Sequence, residues 1–212
     1  MTVHDSRDAG ADPRPLFERF DPDDVRALIT EFPLAWVCAG GPGGSQSSLL
    51  PLIGVYDADG QLTELIGHLA RSNPLYPALC EDPRALLLFR GPAAYISPEH
   101  AGRRDWAPTW NYAQLVVRAE LRFDAGQTEA ALDVLIDAVE GRRAQPWHSG
   151  ELGERYHGML GAIIGFRARV TELRGKFKLG QDERPDTLRA ILASHPDAEM
   201  CQWMRRFNKG RE

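Results

Sequence analysis

The sequence predicts an α+β fold that is mainly β, a small antiparallel barrel with flanking helices and a C-terminal helical extension. The predicted strands are short, apolar or alternating, and bounded by turn residues: 34–39, 48–56, 62–67, 85–89, 93–96, 115–123 and 166–173. Short strands joined by hairpin turns are typical of such barrels. A doubly wound parallel sheet would need regularly interleaved helices, which this order of elements lacks.

Helical periodicity flanks the strands. Asp21 is predicted to cap a first helix that ends before Pro33, and Asn73 is predicted to cap a short helix through residue 79. The remaining helices are predicted from apolar stripes: one ended by Gly141, one at 154–163, one from 185 onward and one around 200–207.

Length and composition fit a single globular unit with a sizeable core. The chain has 212 residues, of which 43% are hydrophobic and 26% charged, so it needs no disulfide or metal for stability. We expect a flexible tail at 1–14, a barrel domain at 15–180 and C-terminal helices at 181–212 that pack on the barrel. The formal net charge of −5 gives no sign of a basic face for nucleic acid.

The cysteines and apolar runs predict a cytoplasmic protein without a membrane partner. Cys38, Cys80 and Cys201 are far apart and form no CxxC pair, which fits a reducing compartment. The first fifteen residues lack the apolar core of a signal peptide. No apolar run approaches the roughly 20 residues that span a bilayer.

The common catalytic motifs are missing from the sequence. It contains no GxxxxGK[ST] phosphate loop, no GxGxxG after a strand, no GxSxG elbow and no HExxH. The six histidines have no metal-ligand spacing, so we predict no metal site. No catalytic residue is identified from these patterns.

The segment at 67–74 joins a predicted strand to a predicted helix and carries polar groups. Arg71 and Ser72 come at the strand end, and Asn73 precedes the helix. A guanidinium beside free helix N–H groups favours an anion, so the spacing is compatible with a phosphate site. A surface ion pair for Arg71 and a simple cap at Asn73 fit the spacing about equally well.

Two aromatic residues flank an amide in the run Pro-Thr-Trp-Asn-Tyr at 108–112. Trp110 and Tyr112 could form the wall of a pocket for a flat ligand, with Asn111 supplying hydrogen bonds. On spacing alone, core aromatics at a strand start are the favoured interpretation, because aromatic side chains dominate protein cores.

The run at 176–181 follows the last predicted strand and carries two lysines. Lys176 and Lys178 could meet an anionic ligand there, with Gln181 nearby. Taken alone, the run is better interpreted as a solvated charged loop.

Six motifs in register resemble the PaiB family of FMN-binding proteins over about residues 17–206. They are Leu-Pro-Leu at 50–52, Gly-His-Leu-Ala-Arg with Asn-Pro at 67–74, Ala-Tyr-Ile-Ser-Pro at 94–98, Pro-Thr-Trp-Asn-Tyr at 108–112, Gly-Met-Leu at 158–160, and Lys-Leu with Gln at 178–181. The His-Leu-Ala-Arg and Pro-Thr-Trp-Asn-Tyr runs are quite specific, and all six in order are hard to obtain by chance.

The resemblance implies an FMN-binding split β-barrel related to the pyridoxamine-phosphate-oxidase group. It further implies a homodimer with FMN at the subunit interface and a role in negative transcriptional regulation. By motif position, Arg71, Ser72 and Lys178 become candidates for the phosphate end of the site. The other cofactor-binding candidates are His68, Asn73, Trp110, Asn111, Tyr112 and Gln181.

Three positions depart from the family pattern. Leu49 stands where a His usually precedes Leu-Pro, Ala101 ends a stretch where aromatics are usual, and Asp182 replaces an amide. A carboxylate near a phosphate would repel it. These departures bear on flavin affinity and not on the fold.

Two other functions remain open from the sequence. One is a flavin-dependent oxidoreductase or reductase acting on a small molecule, with His68 and His100 as the first acid–base candidates to test. The other is a barrel that has lost FMN and binds another ligand, such as haem or a metabolite. Direct binding of nucleic acid is not expected, because the apolar residues of the last helix have the spacing of a packed face.

Overall fold

The structure, a computed structural model, describes residues 12–41 and 44–212. Its strands are β1 (Leu34–Gly41), β2 (Gly44–Pro51), β3 (Ile53–Tyr56), β4 (Leu62–Ala70), β5 (Arg84–Ile96), β6 (Thr109–Phe123) and β7 (Ile163–Lys178). Its α-helices are α1 (Pro22–Glu31), α2 (Leu75–Glu81), α3 (Thr128–Glu140), α4 (Arg155–Gly161), α5 (Pro185–Ser194) and α6 (Ala198–Phe207). Most of the predicted flexible tail at 1–14 lies outside the described residues, as do Pro42 and Gly43.

One antiparallel sheet contains all seven strands, in the order β2-β1-β5-β6-β7-β4-β3. Its two edge strands, β2 and β3, are consecutive in the chain and are separated by Leu52 alone. Because one residue connects the two edges, the sheet must curl round until they meet. Leu52 is fully buried at this junction, and its N–H donates to the carbonyl of Pro33 at 2.9 Å. The predicted mainly β, α+β barrel is confirmed.

Strand boundaries differ from the prediction at several places. The predicted strand at 48–56 is two strands, because the chain turns at Leu52 and its halves join opposite edges of the sheet. The two predicted segments at 85–96 form the single strand β5, which accommodates Gly91 in a bulge. A Cβ at Gly91 would lie 3.1 Å from Leu28 and 3.3 Å from Ala113. This close approach explains why a glycine interrupts the alternation without ending the strand.

The last two strands are also longer than predicted, and this changes where the candidate site residues lie. β6 begins at Thr109, so the run at 108–112 is almost wholly strand. β7 continues to Lys178, so Lys176 and Lys178 belong to a strand and not to a charged loop. Along both segments the side chains therefore alternate between the barrel interior and its outer face.

Side-chain contacts join helices α1 and α6. The α1 helix begins at a capping box, in which the N–H of Asp24 donates to Asp21 at 2.9 Å and the N–H of Asp21 donates back at 3.1 Å. α6 packs its apolar side into the core, with Trp203 only 1% exposed. The indole N–H of Trp203 donates to Glu31 at 2.8 Å, and the guanidinium of Arg206 bonds Asp24 at 2.6 Å.

Helix α3 lies against the outer face of β4 and β7. Its closest approach is at Gly165, where a Cβ would stand 2.9 Å from the Cα of Thr128. The N–H of Gly165 donates to the hydroxyl of Thr128 at 3.1 Å. No helix in the described ranges is both long enough and apolar enough to cross a bilayer.

Candidate functional site

The candidate cofactor-binding residues fall into two groups at opposite ends of β7. Lys178 is the register partner of Tyr112 on β6, whereas His68 on β4 is the partner of Gly165 near the start of β7. The two positions are about 40 Å apart along the strand at the usual rise per residue. The first group, at the end of β7, contains Trp110, Asn111, Tyr112, Lys178 and Gln181. The second group, at the end of β4, contains His68, Arg71, Ser72 and Asn73.

The first group is built around two exposed aromatic rings. Tyr95 on β5 and Trp110 on β6 are register partners, and their ring centroids are 5.8 Å apart. Tyr95 is 45% exposed and Trp110 is 57% exposed. Trp110 and Tyr112 line an open cavity of about 320 Å³ on the outer face of the sheet. Exposed aromatic faces at a cavity can stack on a flat ring, so Trp110 and Tyr112, here called the aromatic wall, stay candidates for a pocket wall.

Two cationic residues, Arg90 and Lys176, lie on the same face, two residues along the strands from Tyr112. We call them the cation row. Gln114 on β6 is the register partner of both Arg90 on β5 and Lys176 on β7. Directly opposed residues in a sheet point to the same face, so Arg90 and Lys176 flank Gln114 there, and all three are exposed. Arg90 also lines the aromatic cavity. The cation row brings anion-binding groups within about 7 Å of the aromatic wall.

Lys178 is held in place at the edge of the aromatic wall. Its ammonium donates to the hydroxyl of Thr109 at 2.5 Å and to the carbonyl of Trp110 at 3.2 Å. Both acceptors are neutral, so neither contact compensates the positive charge of Lys178. Lys178 can therefore present a positive charge beside Trp110 from a fixed position.

Two residues of the first group are turned away from the cavity. Asn111 is 3% exposed, and its amide donates to the sulfur of Met204 at 3.5 Å beneath α6. Gln181 closes the turn after β7, accepting from the N–H of Leu179 at 2.7 Å and donating to the carbonyl of Phe177 at 2.6 Å. Both amides are thus occupied within the chain, and Asn111 faces the interior because strand residues alternate.

In the second group, Arg71 and Ser72 are exposed while Asn73 is engaged. Asn73 donates its amide N–H to the hydroxyl of Ser48 at 2.8 Å and accepts from the N–H of Leu75 at 2.9 Å. It therefore ties β2 to the start of α2, as a capping residue would. Within the described ranges, the ion pairs do not include Arg71, so its guanidinium can meet an external anion.

His68 carries a buried nitrogen without a hydrogen-bond partner in the described part of the chain. Its Nδ1 is inaccessible to solvent and unpaired. Because His68 lies opposite Gly165, it points toward the face that α3 covers. Burial lowers the pKa of His68 below its usual 6.5, since the charged imidazole would lose its hydration. The neutral form is therefore favoured.

An apolar row adjoins the cation row. Trp36 on β1 is the register partner of both Leu49 on β2 and Leu88 on β5, and Leu88 is in turn opposite Val116 on β6. Trp36 is 50% exposed and Leu49 is 47% exposed. Sequence reasoning missed this row and Arg90, although alternation along an uninterrupted β5 would have placed Arg90 on the outer face.

The departures from the family pattern fall in different environments. Leu49 extends the apolar row, Ala101 is 2% exposed within the core, and Asp182 is exposed in the turn after β7. His100 lies against His195, with ring centroids 4.6 Å apart, and its Nδ1 accepts from the N–H of Ser97 at 3.2 Å. Among the described residues, no cluster of three or more His, Cys, Asp or Glu side chains could hold a metal ion.

The chemistry of the outer face fits a planar aromatic group that carries a phosphate. The aromatic wall offers stacking, and the cation row and Lys178 offer charge for an anion. The apolar row lies beside the cation row on this face. This combination matches what a flavin mononucleotide requires of its site.

Comparisons of the sequence with known proteins identify its family. The family model described as "Putative FMN-binding domain" matches residues 13–172. The protease synthase and sporulation protein PAI 2 of Bacillus subtilis is 29% identical over 122 residues, which cover 56% of this chain and 58% of that protein. The protein AN0679 of Emericella nidulans is 28% identical over 199 residues, covering 74% of this chain and 78% of that protein. The match to PAI 2 thus spans less than two thirds of that relative.

Solved structures share the fold at low identity. The FAD and heme binding protein from Mycobacterium smegmatis has a TM-score of 0.57 and 16% identity, covering 74% of this chain and 70% of that chain. The flavocytochrome Anf3 from Azotobacter vinelandii has a TM-score of 0.53 and 17% identity, covering 81% and 74%. The fold is therefore a split barrel of the kind found in flavin-binding proteins. The chain belongs to the FMN-binding domain family, as its PaiB-like motifs predict, and this membership supports a flavin as its cofactor.

Proposed function

We propose that the chain binds FMN on the outer face of its sheet, at an interface between two copies, and acts as a PaiB-type regulator. The observation that carries the proposal is the aromatic wall, formed by the exposed Trp110 and the half-buried Tyr112, beside the cation row of Arg90 and Lys176. An isoalloxazine ring would stack on the wall, and a phosphate would lie against the cations.

The separation of the two candidate groups supports a second copy. Arg71 and Ser72 lie at one end of β7, and Lys178 lies at the other. A single FMN is too short to contact both groups of one chain across that distance. A site that uses all three residues would take Arg71 and Ser72 from one chain and Lys178 from the other.

The apolar row supplies a surface for that second copy. Trp36 and Leu49 are register partners, and each exposes about half of its side chain. Contiguous exposed apolar surface next to a ligand site is typical of protein interfaces, in which aromatic residues are enriched. Burying this row between two chains would also exclude water from the aromatic wall.

A bound flavin would supply electron and hydride transfer, and the chain's own residues would bind and shield it. Lys178, fixed by Thr109 and the carbonyl of Trp110, would hold negative charge at the edge of the wall. Because burial lowers the pKa of His68, its neutral ring, with one N–H and one acceptor nitrogen, would be favoured in this buried position. None of these roles requires a metal ion.

If the chain regulates transcription as the family name implies, α6 would not serve as a DNA-recognition helix. Met200, Trp203 and Met204 are at most 1% exposed, and Arg206 is paired with Asp24. A helix anchored in this way is not free to enter a DNA groove. We therefore propose a cytoplasmic regulator that acts through its flavin or a partner, for which DNA affinity should be absent even at low salt.

The proposal is tested by comparing FMN with riboflavin, which lacks the phosphate. Arg71→Gln and Lys178→Gln should each weaken FMN binding about tenfold, since charge-assisted hydrogen bonds to a phosphate are lost, and should leave riboflavin binding unchanged. Arg84→Gln is the matched control, because Arg84 is exposed and paired with Asp82 away from both groups. FMN and riboflavin binding with equal affinity to the unaltered protein would contradict the proposed phosphate end.

A further inference from the structure

A second cavity, of about 370 Å³, lies between α3 and the outer face of β4, β6 and β7. It shares no lining residue with the aromatic cavity. Its helix side is apolar and is formed by Ala130, Ala131 and Val134, and Ile66 and Phe166 continue this apolar lining from the sheet. A cavity of this size with apolar walls can enclose a small organic molecule.

The floor of the cavity carries charged residues that are mostly paired. Arg167 bonds Glu64 at 2.8 Å, and Arg169 bonds Glu120 at 2.6 Å. Arg122 also lines the cavity, and the ion pairs found within residues 12–41 and 44–212 leave it out. The lining therefore includes one guanidinium, that of Arg122, that forms no ion pair within the described residues, with Asp124 as the third carboxylate of the lining.

Arg122 lies directly opposite a second arginine in the sheet. It is the register partner of Arg167 across β6 and β7, so two guanidinium groups share one face. Like charges directly opposite each other are unfavourable in a sheet. Glu64 compensates the charge of Arg167 at 2.8 Å, whereas the ion pairs among the described residues include no carboxylate for Arg122. Asp124 lies at the rim, where its Oδ1 accepts from the N–H of Gly126 at 2.9 Å.

The first turn of α3, which also carries the acidic side chain of Glu129, borders the cavity. Ala130 and Ala131 lie in this turn and line the cavity. The N-terminal end of a helix favours negative charge through its unpaired N–H groups and its dipole. The cavity thus combines an apolar wall, a free guanidinium and the positive end of a 13-residue helix.

We propose that this cavity binds a small amphipathic monocarboxylate, such as an arylacetate. Its carboxylate would accept hydrogen bonds from Arg122, and its apolar part would lie against Ala130 and Val134. Guanidinium groups match carboxylates in a two-pronged geometry, which makes the site selective for an acid over its neutral amide. The proposal is independent of flavin binding, because none of its residues contributes to the outer aromatic wall.

The test is a calorimetric or NMR titration of the full chain with phenylacetate and with phenylacetamide. Phenylacetate should bind saturably and about tenfold more tightly than the amide, and Arg122→Gln should remove this preference. Arg118→Gln is the matched control, because Arg118 is exposed on the same face of β6 and lies outside the cavity. Equal binding of acid and amide, or equal effects of the two substitutions, would overturn the proposal.

A second variant pair tests whether the ligand occupies the cavity itself. Ala130→Leu places a larger side chain at an exposed position that lines the cavity, so it should weaken phenylacetate binding several-fold without unfolding the helix. Ala138→Leu adds the same volume on α3 outside the cavity and should change nothing. Failure to detect saturable phenylacetate binding to the unaltered chain would reject the site outright.

Discussion

The rings of Tyr95 and Trp110 meet across β5 and β6 with their centroids 5.8 Å apart, although each side chain is about half exposed. Exposed aromatic pairs lose the burial that normally stabilises such residues. This pair lies beside Arg90 and Lys176, which makes it an aromatic surface next to positive charge and not part of the core.

Replacing Trp110 tests the aromatic wall. Trp110→Ala should weaken the binding of FMN and of riboflavin alike, by about tenfold or more, because stacking on an aromatic ring contributes roughly 1–3 kcal/mol. Flavin fluorescence quenching on titration would measure both affinities. Trp147→Ala, at a half-buried loop position before α4, is the control and should leave both unchanged. A loss confined to FMN would mean that Trp110 acts on the phosphate and not on the ring.

Replacing Trp36 tests the proposed interface. Trp36→Glu should convert a dimer into a monomer, because a charge would be buried in the centre of the apolar row. Light scattering after size exclusion measures the mass directly. Val139→Glu is the matched control, since Val139 on α3 is 48% exposed and Trp36 is 50% exposed. A monomeric unaltered chain would contradict the proposal that the apolar row is a dimer interface.

Mixed dimers test whether each flavin site is shared. Chains carrying Arg71→Gln and chains carrying Lys178→Gln should each bind FMN weakly on their own. In a mixed dimer, one site would receive both changes and the other neither, so about half of the sites should regain normal affinity. Sites built within one chain would each keep one change, and mixing would then restore nothing.

The buried imidazole of His68 predicts a pH-dependent contribution to stability. Because burial lowers the pKa of His68 below 6.5, the unfolded chain binds more protons than the folded chain once the pH falls below that value. The free energy of unfolding relative to His68→Asn should therefore decrease as the pH falls from 7.5 to 5. Urea denaturation at each pH measures the difference.

The fold was predictable because its signals are local. The cap at Asp21 and the stop at Gly141 place α1 and α3 correctly, and the alternation at 166–170 identifies the inner side of β7. The junction at Leu52 was missed because an apolar residue between two strands does not look like a turn. Only the pairing of β2 and β3 with different neighbours reveals it, and that pairing is a long-range property.

The sequence offered candidate site residues but not their arrangement. Motif position selected Trp110 and Lys178 as candidates, and the register places them on neighbouring strands. It also included Asn111, whose side chain the alternation of β6 turns into the core. Arg90 was overlooked because Gly91 and Pro92 suggested that the strand ended beside it. The distance between Arg71 and Lys178 along β7 depends on the sheet order, which local patterns do not contain.

Sedimentation velocity recorded at both the protein and the flavin absorption bands tests the central claim most directly. With FMN added to the unaltered chain, flavin absorbance should sediment with a species of twice the chain mass. With Trp36→Glu, the protein should sediment as a monomer and the flavin should remain unbound. Flavin that sediments with a monomer, or that does not sediment with the protein at all, would contradict an FMN site shared between two copies.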